Sequence, residues 1–313
     1  MSKEGSGNGI EQAPSAATLS WASHALDGAE LSDCLMLPGG SATHVWRLST
    51  AQGNVIVKQS LAGADLEDAA LIDREHRVLD ALRPLGLPVA TPFACDRDGS
   101  QCGLPTMLMS VLPGRLLDGP PELRAAIPAM AACLASIQQR CGTLLAGRQY
   151  HPWYRRDAKA PTWSSSETLW TRALGVGNRF PVPAANSFVH RDPHPANLLF
   201  EADGDALRVS GVLDWPHAGR GPAGIDGSRM AMNLACLLGL DAALEFRGHF
   251  EAARELRQDP LLDVLSVLEC LPDPDGFRTW SAVGVSLTPD TVRGRLERFL
   301  EDAMRRMTTR RVT

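Results

Sequence analysis

The chain has 313 residues, 44% hydrophobic and 21% charged, with 36 acidic against 31 basic side chains and a formal net charge of -5. This is the make-up of a globular protein long enough for one large domain or two lobes, and it excludes general disorder, collagen and small disulfide scaffolds. The acidic balance argues against nucleic acid as a partner, because phosphate-binding surfaces are usually basic; the terminal cluster Arg305, Arg306, Arg310 and Arg311 reads as a solvated helix end.

Residues 1–17 are rich in Gly, Ser and Ala without periodicity, so a disordered lead-in is expected, with no apolar stretch of the kind a signal peptide needs. From Leu35 the texture becomes strand-like: short apolar runs at 35–37, 45–48 and 55–58 are separated by the turns Pro38-Gly39-Gly40-Ser41 and Gln52-Gly53. Three such strands make an antiparallel meander. Residues 65–82 carry helical spacing, with Ile72, Leu79 and Leu82 on one face, and stop at Arg83-Pro84-Leu85-Gly86. Two more strands are expected near 89–95 and 104–112, joined by Asp96-Arg97-Asp98-Gly99. After Pro113-Gly114, helical patterns dominate at about 121–140, 167–175, 225–240, 241–256 and 291–307, interrupted by a small hairpin within 187–213. A sheet-rich first third and a helix-rich remainder imply an α+β protein with an N-terminal lobe over 18–112 and a C-terminal lobe over 113–313. Seven cysteines, an odd number without a CxxC pair, fit reduced thiols in a cytoplasm, and the longest apolar stretch, around 230–240, is too short to span a bilayer. A cytoplasmic protein with no membrane partner is therefore expected.

Two features of the pattern concern chemistry. Only three of the basic residues are lysines, Lys3, Lys58 and Lys159, and Lys58 alone closes an apolar strand, Val55-Ile56-Val57. The densest cluster of reactive groups is Val189-His190-Arg191-Asp192-Pro193-His194-Pro195-Ala196-Asn197, a stiff loop in which each proline fixes its own φ and biases the residue before it away from the helical region. Downstream, Val209-Ser210-Gly211-Val212-Leu213 leads to a second carboxylate, Asp214.

His190-x-Asp192-x-x-x-x-Asn197 followed by Asp214 resembles the catalytic and metal motifs of the aminoglycoside phosphotransferase family, small-molecule kinases with a bilobal, protein-kinase-like fold. The resemblance runs over roughly 35–240 and extends to the hinge-like segment from Pro105 to Gly114 and to Gly221-Pro222-x-x-x-Asp226. Pro193 and Ala196 depart from the family's usual loop. The resemblance implies ATP, or GTP, as phosphoryl donor, Mg²⁺ as the metal, and a small, possibly cationic, acceptor alcohol. Asp192 then takes the acceptor's proton, Asn197 and Asp214 hold the metal, and Lys58, paired with Glu75, reaches the phosphates. Glu75 shares the apolar face of its helix with Ile72 and Leu79, where an unpaired carboxylate is costly; Glu67, Asp68 and Asp73 are alternatives near the helix start or off that face. Backbone amides of Gly39, Gly40 and Ser41 would approach phosphate, and Ser110 and Leu112 would line the nucleotide from the hinge.

His190 reads as a scaffold of the loop, and His194 and His217 as structural or exposed. A rival from another class is a metal-dependent hydrolase with His190, Asp192, His194, Asp214 and His217 as ligands. For the acceptor, the resemblance points to an antibiotic inactivated by phosphorylation, with a housekeeping sugar or amino alcohol as the alternative. Residues 230–275 carry nine acids, Asp241, Glu245, Glu251, Glu255, Asp259, Asp263, Glu269, Asp273 and Asp275, which form either a cation site or solvated helix surface. The aromatic segment from Tyr150 to Trp170 lines an acceptor pocket or packs against the helical lobe.

Overall fold

The computed structural model describes residues 13–37, 43–142, 144, 147–179, 187–271 and 276–310. Its contacts fall into two units, one built from residues up to 76 with 90–111, the other from 77–89 with 112 onward.

The first unit opens with α1 (Ala16–Ala25), which starts inside the stretch expected to be a tail. The Ser15 Oγ accepts the Thr18 N–H at 3.1 Å and so caps the helix. Trp21 and Ala22 then pack into a core with Trp46, Leu48, Val55, Val57 and Leu108. That core lies on one face of an antiparallel sheet of β1 (Leu31–Leu37), β2 (Thr43–Thr50), β3 (Gly53–Ser60), β4 (Pro92–Asp96) and β5 (Thr106–Ser110), in the order β1-β2-β3-β5-β4. β3 is the central strand, paired with β2 through Lys58 and Val45 and with β5 through Lys58 and Met107. Strand alternation puts Val57 on the apolar face and Lys58 on the other. Helix α2 (Leu66–Leu82) follows β3 and ends in a 3-10 turn at Arg83–Leu85.

The second unit is mainly helical. The helix expected over 121–140 is two: α3 (Pro120–Ala125) and α4 (Ile127–Cys141), each with proline in its first turn, where a missing N–H costs nothing. Then come β6 (Arg148–Gln149), α5 (Glu167–Arg179), β7 (Ser187–Val189), β8 (Leu198–Asp203), β9 (Ala206–Val212), β10 (Gly219–Gly221), α6 (Ile225–Leu238), α7 (Leu240–Arg254), α8 (Pro260–Leu268) and α9 (Pro289–Arg310). β8 and β9 form the expected hairpin, and β6, β10 and β7 make a small mixed sheet. Gly114 lies against this hairpin with φ of 96°; a Cβ there would come within 2.1 Å of Ser210 Oγ and 2.8 Å of the Phe200 carbonyl oxygen.

Buried charge ties the last helices together. Asp263 accepts from Ser228 Oγ at 2.6 Å, from Arg247 at 3.2 Å and from Arg306, while Asp302 pairs with Arg247 at 3.5 Å and Arg306 at 2.8 Å. Arg306 is thus part of the helix packing and not the solvated end expected of it. All seven cysteines are free. Among the described residues no helix is long and apolar enough to cross a membrane.

Candidate active site

β7 ends at Val189, and the two residues that follow it are clamped by α6. Asp226, in the first turn of α6 and 1% exposed, accepts the His190 N–H at 2.7 Å and the Arg191 N–H at 2.9 Å. Burial pushes the Asp226 carboxyl above its ordinary value, and the His190 ring and the two N–H donors oppose that shift. The clamp holds Arg191 at φ of 80°, a left-handed conformation that side chains other than glycine rarely adopt.

His190 is a scaffold, as expected. Its ring lies tilted against Trp215 with centroids 4.4 Å apart, its Nε2 lies 2.8 Å from the Leu213 carbonyl oxygen, and its Nδ1 accepts the Asp192 N–H at 3.3 Å. That pattern is satisfied by the tautomer protonated on Nε2 and leaves no ring nitrogen for a metal. The far side of the loop is fixed by Asn197, whose Nδ2 donates to the Asp192 carbonyl at 3.0 Å, and by Asn233, whose Nδ2 donates to the Pro193 carbonyl at 3.2 Å. With the backbone held from both sides, the Asp192 carboxylate is 28% exposed, 3.8 Å from both Arg229 and His194.

Asn197 and Asp214 are brought together by the hairpin. The Leu213 N–H donates to the Asn197 carbonyl at 2.9 Å, so Asp214 follows directly, at φ of 64°. The bond from Nδ2 to the Asp192 carbonyl orients the Asn197 amide, whose side-chain oxygen could then serve a cation. Two side-chain oxygens suit Mg²⁺, a hard cation that keeps water and takes phosphate oxygens to fill its shell. They do not suit the rival hydrolase: His190 is spent, and among the described residues no three His, Cys, Asp or Glu side chains group as a metal would need. Burial also lowers the pKa of His194 and His217, against the charges of Asp192 and Asp214, so both rings are neutral near pH 7.

In the first unit, Lys58 Nζ and Glu75 Oε2 meet at 2.6 Å, with side chains 10% and 3% exposed. Asp73 instead pairs with Arg97 at 3.0 Å and Glu67 with Arg74 at 3.6 Å. Ser110 closes β5, and its Oγ accepts the Thr91 N–H at 2.9 Å. Leu112 is the first residue of the longer segment of the second unit. Gly39, Gly40 and Ser41 lie outside the described residues.

The acid-rich stretch does not present a bare negative face. Asp241 pairs with Arg124 at 3.0 Å, Glu251 accepts the Gln258 N–H, Asp259 caps α8, and Asp263 and Glu269 are buried against arginines. Glu245 and Glu255 are exposed, and Asp273 and Asp275 lie outside the described residues. The aromatic segment meets the loop: the Arg191 guanidinium lies 4.0 Å from the Tyr150 ring centroid and 4.3 Å from that of Trp153, and donates to Glu269 at 3.3 Å and to the His151 carbonyl at 2.9 Å. Tyr150 donates to the same Glu269 oxygen at 2.7 Å. The other end of the segment is pinned by Glu297, which accepts from Ser164 at 2.7 Å and from Trp170 Nε1 at 2.9 Å. Arg229 had no local signature in the sequence, and Glu269 was legible only as one acid of the run 230–275, because their partners lie far along the chain.

Residues 33–258 match the model of the phosphotransferase enzyme family. The chain belongs to that family. Its fold is similar to that of a candidate aminoglycoside phosphotransferase from Ralstonia eutropha, with a TM-score of 0.64, 19% identity and coverage of 92% of this chain and 98% of the other. Aminoglycoside phosphotransferase APH(4)-Ia follows at 0.62, 14% identity, 91% and 98% coverage, and the choline kinase of Streptococcus pneumoniae at 0.61, 14% identity, 92% and 97% coverage. These likenesses show the α+β, kinase-like fold expected from the sequence. Acyl-CoA dehydrogenase family member 10 of Mus musculus is 26% identical over 202 residues, which span 58% of this chain and 18% of the mouse protein.

Proposed function

We propose that the chain transfers the γ-phosphate of ATP, or of GTP, to a hydroxyl group of a small molecule, with 18–112 serving the nucleotide and 113–313 the chemistry and the acceptor. The observation that carries this reading is the clamped loop: its backbone is fixed by Asp226, His190 and Asn233, while the Asp192 carboxylate stays accessible and the hairpin carries Asn197 and Asp214 on adjoining backbone. Asp192 orients the acceptor hydroxyl and takes its proton as the oxygen attacks the γ-phosphorus, the bond to the β,γ-bridging oxygen breaks, and ADP leaves. Asn197 and Asp214 hold Mg²⁺, which when bound neutralises phosphate charge. Lys58, held straight by Glu75, contacts the α- and β-phosphates, and the segment of Gly39, Gly40 and Ser41 with Ser110 and Leu112 completes the nucleotide contacts.

The family resemblance and the aminoglycoside phosphotransferases of like fold support an antibiotic as acceptor; the choline kinase of like fold supports a metabolite. One observation favours the metabolite: the acids that would receive a polycationic antibiotic are mostly committed to the chain's own arginines and backbone. Free thiols fit a reducing cytoplasm. The test is ADP release with ATP and Mg²⁺ across antibiotics, amino alcohols, sugars and other small alcohols. Asp192→Ala should slow turnover on any active acceptor by about 10² to 10⁴ while nucleotide affinity holds. Turnover at the wild-type rate in that variant would remove Asp192 from the reaction.

A further inference from the structure

Every residue of α6 is buried except Arg229, and that one exception stands beside Asp192. Its guanidinium lies 3.8 Å from Asp192 Oδ1 and 3.7 Å from Glu269 Oε2. The hydrogen bond it makes, to the Ser266 carbonyl, is long at 3.5 Å, and its buried Nε has no hydrogen-bond partner. Arg191 is different: it donates at 3.3 Å and 2.9 Å and is stacked against Tyr150 and Trp153. Glu269 is equally engaged, taking Tyr150 and Arg191 on one oxygen and facing Arg229 with the other.

Among the described residues, two guanidiniums, those of Arg191 and Arg229, therefore gather on the Arg229 side of Asp192, and Glu269 there is taken up by Arg191, Arg229 and Tyr150. The Trp153 ring already has Arg191 at 4.3 Å and Arg229 at 5.0 Å from its centroid, so a quaternary ammonium would meet like charge there. A largely buried guanidinium with unsaturated donors is completed best by a carboxylate, whose two oxygens match its fork.

We propose that Arg229 selects the acceptor by charge: the substrate is a small hydroxy acid, its hydroxyl on Asp192 and its carboxylate on Arg229. Because the two protein groups are 3.8 Å apart, only a short carbon chain separates the hydroxyl from the carboxylate. The inference rests on the phosphotransfer reading and adds the chemistry of the acceptor.

The test uses the full chain, ATP and Mg²⁺, with acceptors in matched sets that differ only in charge: glycerate, glycerol and aminopropanediol; hydroxybutyrate, butanediol and aminobutanol; and choline and kanamycin as larger cations. The acid of at least one set should exceed its neutral and amine partners in kcat/KM by about tenfold or more. Arg229→Gln should erase most of that preference, chiefly through the KM of the acid, and Arg229→Lys should keep part of it; thermal midpoints establish that both variants fold. Preference for an amine or a neutral alcohol, or an unchanged preference in Arg229→Gln, overturns the charge assignment and leaves phosphotransfer standing. Silence on acceptors of all three charge classes overturns both.

Discussion

In the first unit Lys58 and Glu75 meet as one buried pair across a strand and a helix, whereas in the second unit Arg247 and Arg306 are shared between Asp263 and Asp302 across α7, α8 and α9. Both arrangements remove charge from water, and each must offset that desolvation. The network does so with planar guanidiniums, whose several donors can join three helices at once. The pair does so with a compact ammonium on the central strand of a sheet, joining that strand to α2. A chain with 28 arginines and three lysines places a lysine where the fold gains least from it. The contrast teaches that the arginine network joins three helices to one another, while the lysine pair joins a strand to a helix and, on the proposed reading, serves the nucleotide.

Breaking the network is expected to have the largest effect. Asp263→Ala leaves Arg247 and Arg306 facing only Asp302, and urea denaturation should show about 3 to 5 kcal/mol lost, with turnover per folded molecule retained. A loss well under 1 kcal/mol would mean that the helices hold without it. Next is the pair: Lys58→Met combined with Glu75→Leu removes both charges together, so the urea midpoint should stay near wild type or rise, while phosphate transfer falls by about 10² to 10³. Wild-type turnover in that double variant would assign the pair to architecture as well. The smallest effect is on pH. Burial holds His194 and His217 below the ordinary imidazole value of 6.5, so the unfolded chain takes up protons there before the folded one does. The stability tied to their neutral forms is complete at neutral pH and is lost as pH falls through that value. Thermal midpoints should drop on acidification, less steeply when both are changed to Gln; an unchanged slope would contradict the burial argument.

How much of this was legible in the sequence follows from range. Lys58 stood out because a charge closed an apolar strand, and Asp192, Asn197 and Asp214 because one loop and one hairpin carry them within a short stretch. α1 escaped because its start depends on a single cap at Ser15 and its place on contacts with Trp46 and Leu108. α8 escaped for the opposite reason: every one of its nine residues is buried, so no polar face alternates with the apolar one. The cluster of Arg191, Arg229, Glu269 and Tyr150 was invisible because it joins residues up to 119 positions apart. The acidic run read as a surface feature since its arginine partners, such as Arg124 and Arg306, lie outside the run.

The central claim is that Asp192 directs the γ-phosphate to an alcohol and not to water. Supplying ATP labelled in the γ-phosphate and following the label tests it most directly. The account predicts label in a phosphate ester of the acceptor, lost in Asp192→Ala; label released only as inorganic phosphate, at the same rate in both proteins, would contradict it.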